Sequence, residues 1–115
     1  MKFQKYIHKK RIKELPKDLL PREKALEHGI ENLSDSELLA LSLGQGTKEL
    51  NVLGLADLIL KNKTLKDLRN ITLEELLKIK GIGKAKALQI LSIVEIAKRM
   101  EEDEEKIFLN SPLDV

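Results

Sequence analysis

The sequence predicts an all-α fold: a compact helical domain of five or six helices, built from two helix–glycine turn–helix units. Three observations carry this. Apolar residues recur at helical spacing, and no period-2 stretch appears before residue 106. A Ser/Thr-x-x-Glu-Leu-Leu start occurs twice, at Ser34 and Thr72, with the glutamates 38 residues apart. Each copy then runs into Gly-x-Gly, at Gly44-Gln45-Gly46 and Gly81-Ile82-Gly83, 37 residues apart, and an apolar helical pattern follows each.

Taken in order, residues 1–20 form a basic arm with weak patterning. Residues 21–102 form the helical domain, and 103–115 an acidic linker leading towards a further domain. Within the domain, "PREKALEHG" reads as a short helix, with Pro21 at its first position and Gly29 at its exit. "LSDSELLALSLG" begins with a capping box, Ser34 with Glu37, and ends before Gly44. Val52, Leu55, Leu58 and Ile59 line one side of the next helix, in which Gly54 is a mild weakness. "LKDLRN" is a single short turn or helix, and "ITLEELLKIK" repeats the capping box with Thr72 and Glu75. The final helix is the longest, with Ala87, Ile90, Leu91, Val94 and Ala97 along one face. Residues 106–115 are expected to be extended and weakly held.

Composition narrows the function. With 115 residues, 42% hydrophobic and 35% charged, the chain suits one small folded domain with an aliphatic core, since aromatics are only 3%. No cysteine is present, so disulfides and thiolate metal ligands are excluded and a cytoplasmic setting is expected. No apolar run approaches the ~20 residues of a membrane span. His8 and His28 have no metal-spaced neighbours, so no metal, no cofactor and no catalytic residue is expected. The net charge is only +2, but it is segregated. Residues 1–24 carry a local excess of +6, whereas Glu-Glu-Asp-Glu-Glu at 101–105 is solidly acidic.

The second glycine turn is the informative stretch. Lys78, Lys80, Lys84 and Lys86 surround it, and no acid interrupts them. A join this short needs backbone angles that side chains forbid, which the glycines are expected to supply. Ile82 can tuck inward and pin the turn to the core. The N–H groups of Gly83, Lys84 and Ala85, at the opening of the next helix, then have no partners within it. With the positive helix end and the charges of Lys84 and Lys86, they favour an anion such as a backbone phosphate. The first turn, at Gly44, Gly46 and Thr47, is looser, because "TKEL" delays its second helix.

Leu76-x-x-Ile79-x-Gly81-Ile82-Gly83-x-x-x-Ala87 resembles the helix-hairpin-helix motif at every defining position. That resemblance implies sequence-independent contact with a DNA backbone, with Ala87 keeping the two helices close. A broader likeness spans residues 14–115. "LPREKALEHGIENLSDSELLALSLGQGT" resembles the opening of the RadC family, bacterial proteins labelled as DNA repair proteins. The matching positions are Pro21, Arg22, Glu23, Gly29, residues 33–35 and 37–40, Gly44, Gly46, Thr47 and the Gly81-Ile82-Gly83 hairpin. In that family a JAB/MPN metalloprotease-like domain follows. The tail "LNSPLDV" resembles the lead into it, and none of that domain is in this sequence.

The resulting expectation is a non-catalytic DNA-binding module. The alternative is an interaction or regulatory domain for the metalloprotease-like part. A base-excision glycosylase also fits the motif and needs an acid about twenty residues past the turn. Asp103 has the distance but lies within the acidic run, and so few aromatics build no pocket for a flipped base.

Overall fold

The computed structural model describes residues 15–16, 19–47 and 50–109, with backbone alone from residue 103 onward. Most of the basic arm expected at residues 1–20 lies outside the described residues. Among those described, the chain forms five α-helices and two 3-10 helices, with no strand. The helices are α1 (Pro21–His28), α2 (Asp35–Leu43), α3 (Val52–Ile59), α4 (Leu73–Leu77) and α5 (Lys84–Leu109). The 3-10 helices are Ile30–Asn32, which the hydrophobic pattern does not reveal, and Leu65–Asn70, the short turn expected at "LKDLRN".

Helix starts follow local side-chain chemistry. Ser34 Oγ accepts from the Glu37 N–H at 3.1 Å, and Glu37 Oε1 accepts from the Ser34 N–H at 3.0 Å, so the box closes in both directions. Lys24 on α1 reaches Glu37 Oε2 at 2.5 Å and ties α1 to α2. Burial pushes the Glu37 carboxyl up. The Lys24 ammonium, with the Ser34 N–H and hydroxyl, outweighs that and holds it below the usual carboxylate value. The box expected at Thr72 closes differently. Its hydroxyl accepts from the Glu75 N–H at 3.2 Å and donates to the Glu75 carboxylate at 3.1 Å. A further cap pairs the Thr64 N–H with Asp67 at 2.8 Å. Asn51 caps α3 by accepting from the Gly54 N–H at 3.0 Å, and it is the buried polar side chain among the described residues.

The two helix–turn–helix units share one core. Leu39, Ala40 and Leu43 of α2 meet Val52, Leu55, Ala56 and Ile59 of α3; Leu60, Leu68 and Ile71 between α3 and α4, Leu76 of α4, Ile82 of the second turn, and Ala87 and Ile90 of α5 complete it. Leu55, Ile59, Leu76 and Ile90 are fully buried, and each is a site where truncation to alanine costs about 2–5 kcal/mol. Gln89 of α5 fastens the units together by donating from Nε2 to the carbonyls of Ser42 at 2.9 Å and Leu43 at 3.2 Å. These are C-terminal carbonyls of α2, which have no partners within their own helix.

One expectation needs correction. Residues 106–109 are not extended but continue α5 to Leu109, while 110–115 lie outside the described residues. The acidic run opposes the dipole at a helix C-terminus. At 101–105, however, it precedes the last turn, where Lys106 and the apolar Ile107, Phe108 and Leu109 follow.

Candidate functional site

The two glycine turns meet. Gly81 has φ +91°, and a Cβ placed there would lie 2.9 Å from Thr47 Cγ2, so the second turn abuts the end of the first. Gly46, Thr47, Lys80, Gly81, Gly83, Ala85 and Lys86 together line a shallow cleft over this junction. Of the residues expected to form the site, Gly44, Ile82 and Lys84 do not line it. Gly44 lies on the exposed side of the first turn with φ +76°. Ile82 is 5% exposed and packs in the core, where it pins the turn as expected. Lys84 is exposed at the first position of α5, outside the cleft. Lys80, noted in the sequence only as one of four surrounding lysines, takes the place expected of Lys84.

The four turn glycines have different reasons for being glycine. In each turn the first one, Gly44 or Gly81, holds a positive φ that L side chains rarely adopt. Gly46 has no positive φ, but a Cβ there would sit 2.2 Å from the Leu50 carbonyl oxygen and 2.5 Å from the Asn51 carbonyl carbon. The backbone entering α3 fills that space. That entry is closed by the Thr47 N–H on the Leu50 carbonyl at 2.8 Å and the Leu50 N–H on Thr47 Oγ1 at 3.2 Å.

Gly83 is unlike the other three. Its φ is not positive, and nothing lies within 4 Å of where a Cβ would be. The expectation that this glycine supplies a forbidden backbone angle is therefore wrong: of Gly81 and Gly83, only Gly81 holds a positive φ. The Gly83 carbonyl accepts from the Ala87 N–H at 3.0 Å, so Gly83 sits at the N-cap of α5. α2, α3 and α4 place Ser34, Asn51 and Thr72 at that position, and each accepts an orphan N–H. The longest helix has a residue there with no side chain, and its first turn contains no acid. Its start therefore lies beside the cleft, which Gly83, Ala85 and Lys86 line, and its opening donors have no capping side chain from Gly83.

Among the described residues, no group of three or more His, Cys, Asp or Glu side chains is placed to hold a metal. No helix there is long and apolar enough to cross a membrane.

A sequence model of the UPF0758 N-terminal family matches residues 12–88. The chain belongs to the UPF0758 family. This is the RadC-like family that the Pro21 and Ser34 motifs resemble. A UPF0758 protein of Aquifex aeolicus (strain VF5) is 46% identical over 103 residues, covering 90% of this chain and 44% of that protein. One from Clostridium botulinum (strain Langeland) is 45% identical over 108 residues, covering 91% of this chain and 47% of the relative. One from Methanosarcina mazei is 40% identical over 111 residues, covering 95% and 48%. The chain thus spans under half the length of these UPF0758 relatives. No solved structure gives a significant match.

Proposed function

We propose that this chain is a non-catalytic nucleic-acid-binding module, whose glycine cleft holds phosphates of a DNA backbone without reading sequence. The observation that carries the proposal is Gly83. Neither backbone angle nor packing requires glycine there, and a side chain at that point would stand between a ligand and the first N–H groups of α5. Lys80 and Lys86 supply positive charge to the cleft lining. The lining holds no aromatic and no amide side chain, so it has nothing with which to discriminate base edges. In the longer UPF0758 relatives, this module would bring the remaining half of the chain to DNA. By the RadC resemblance, that half is metalloprotease-like.

A DNA titration at several salt concentrations tests this reading. With Lys80 and Lys86 each neutralising one phosphate, log K falls against log salt with a slope of about −2. Lys86→Ala is expected to flatten that slope by about one unit. Lys84→Ala, outside the cleft, leaves it nearly unchanged. An equal effect of the two substitutions would mean diffuse attraction to the basic end of α5 rather than a site.

A further inference from the structure

We propose that the outer face of α5 is a self-association surface, on which α5 of a second copy of this chain packs antiparallel. The inner face of α5, around Ala87, Ile90 and Val94, is covered by the rest of the molecule. On the opposite face lie Leu88, Ser92, Ile96 and Met100. Leu88 is 55% exposed, Ile96 59% and Met100 65%, where a helix with a single buried face carries polar residues. None of the described residues covers this row.

Two properties select a second copy as the occupant. The first is register. The row repeats every fourth residue and is symmetric about position 94. A two-fold axis there brings Leu88 against Met100 of the second copy and Ser92 against its Ile96. Rows of this spacing interdigitate when two helices cross at about −50°, and the small Ser92 leaves the hollow that Ile96 fills. The contact uses the same patch on both copies, as a two-fold interface must.

The second property is charge. α5 opens with Lys84 and Lys86, has no acid in its first turn, and carries the acidic run at 101–105. An antiparallel pair sets the basic end of each helix towards the acidic end of the other, and opposes the two helix dipoles. A parallel pair sets like charge beside like. Four side chains per copy make an interface well under the ~1,200 Å² of a stable complex, so the association is weak, with Kd on the order of 0.1 mM. The proposal does not depend on DNA binding at the cleft.

Sedimentation equilibrium of the 115-residue chain at low salt, from about 10 µM to about 1 mM, tests it. The expected result is a monomer–dimer equilibrium. Ile96→Glu, at an exposed position and checked for folding by circular dichroism, should weaken it at least about tenfold. Orientation has its own test. A chain with Lys84→Glu and Lys86→Glu, and another with Glu102→Lys and Glu104→Lys, should each associate less than the parent and recover dimer when mixed. Dimerisation of Ile96→Glu equal to the parent's, or no recovery on mixing, overturns the proposal. A parent that stays monomeric throughout also overturns it, and leaves the face to the additional residues of the longer relatives.

Discussion

Gly81 and Gly83 flank a single isoleucine, yet the structure gives them opposite sensitivities. Gly81→Ala forces a side chain into φ +91° and against Thr47 Cγ2, so it should cost more than about 1 kcal/mol. Gly83→Ala adds a methyl to open space at a φ that is not positive and loses only glycine's N-cap preference over alanine, so it should cost less than about 1 kcal/mol. Urea denaturation of the two variants compares them directly; equal losses would show that Gly83 is also held by the turn. Glu37 offers a second single-residue test. Its pKa is lowered in the folded state, so its contribution is fully present above the unfolded value near 4.5 and is lost as pH falls through the lower folded value. Glu37→Gln should therefore destabilise by about 1 kcal/mol at pH 7, through the weakened cap and the lost Lys24 pair. The gap to the parent should narrow at pH 3, as read from unfolding midpoints at the two pH values.

At the scale of elements, the interaction that sets the two units against each other is Gln89 on the C-terminal carbonyls of α2. Gln89→Glu keeps the shape but replaces the donor by a carboxylate facing two carbonyl oxygens. It should cost about 1–3 kcal/mol, measured by thermal or urea unfolding. A loss no greater than that of an exposed helix position would mean the contact adds nothing. This tie was not legible in the sequence, because a glutamine on a helix looks the same whether it meets water or a carbonyl two helices away. The helices themselves were legible, since capping residues and apolar spacing act within a few residues of chain: Pro21, Ser34 and Thr72 each mark a start that the structure confirms. The 3-10 helix at Ile30–Asn32 was missed because three residues are too few to show a period. Continuation of α5 to Leu109 was missed because an acidic run reads as a helix end when only local charge is weighed.

For the whole molecule, duplication explains why a candidate site exists at all. Two copies of one unit pack around a shared core, and their turns come to the same place, with Thr47 of the first against Gly81 of the second. The sequence shows both turns but not that they touch, nor that Lys80 and Lys86 line the cleft while Lys84 stands outside it. Those facts belong to the packing of one unit on the other. The proposed site rests on Gly83 being glycine, so that the α5 donors stay open to a phosphate. Gly83→Asp tests it most directly, by comparing unfolding free energy and DNA affinity in one variant. An aspartate at this N-cap can accept the orphan N–H groups and complement the helix dipole, so stability should hold or rise by up to about 1 kcal/mol. The same carboxylate occupies the phosphate's place with like charge, so DNA affinity should fall by more than about tenfold. A variant as stable as the parent that binds DNA equally well would contradict the claim, and the cleft would then be no more than the seam between two packed turns.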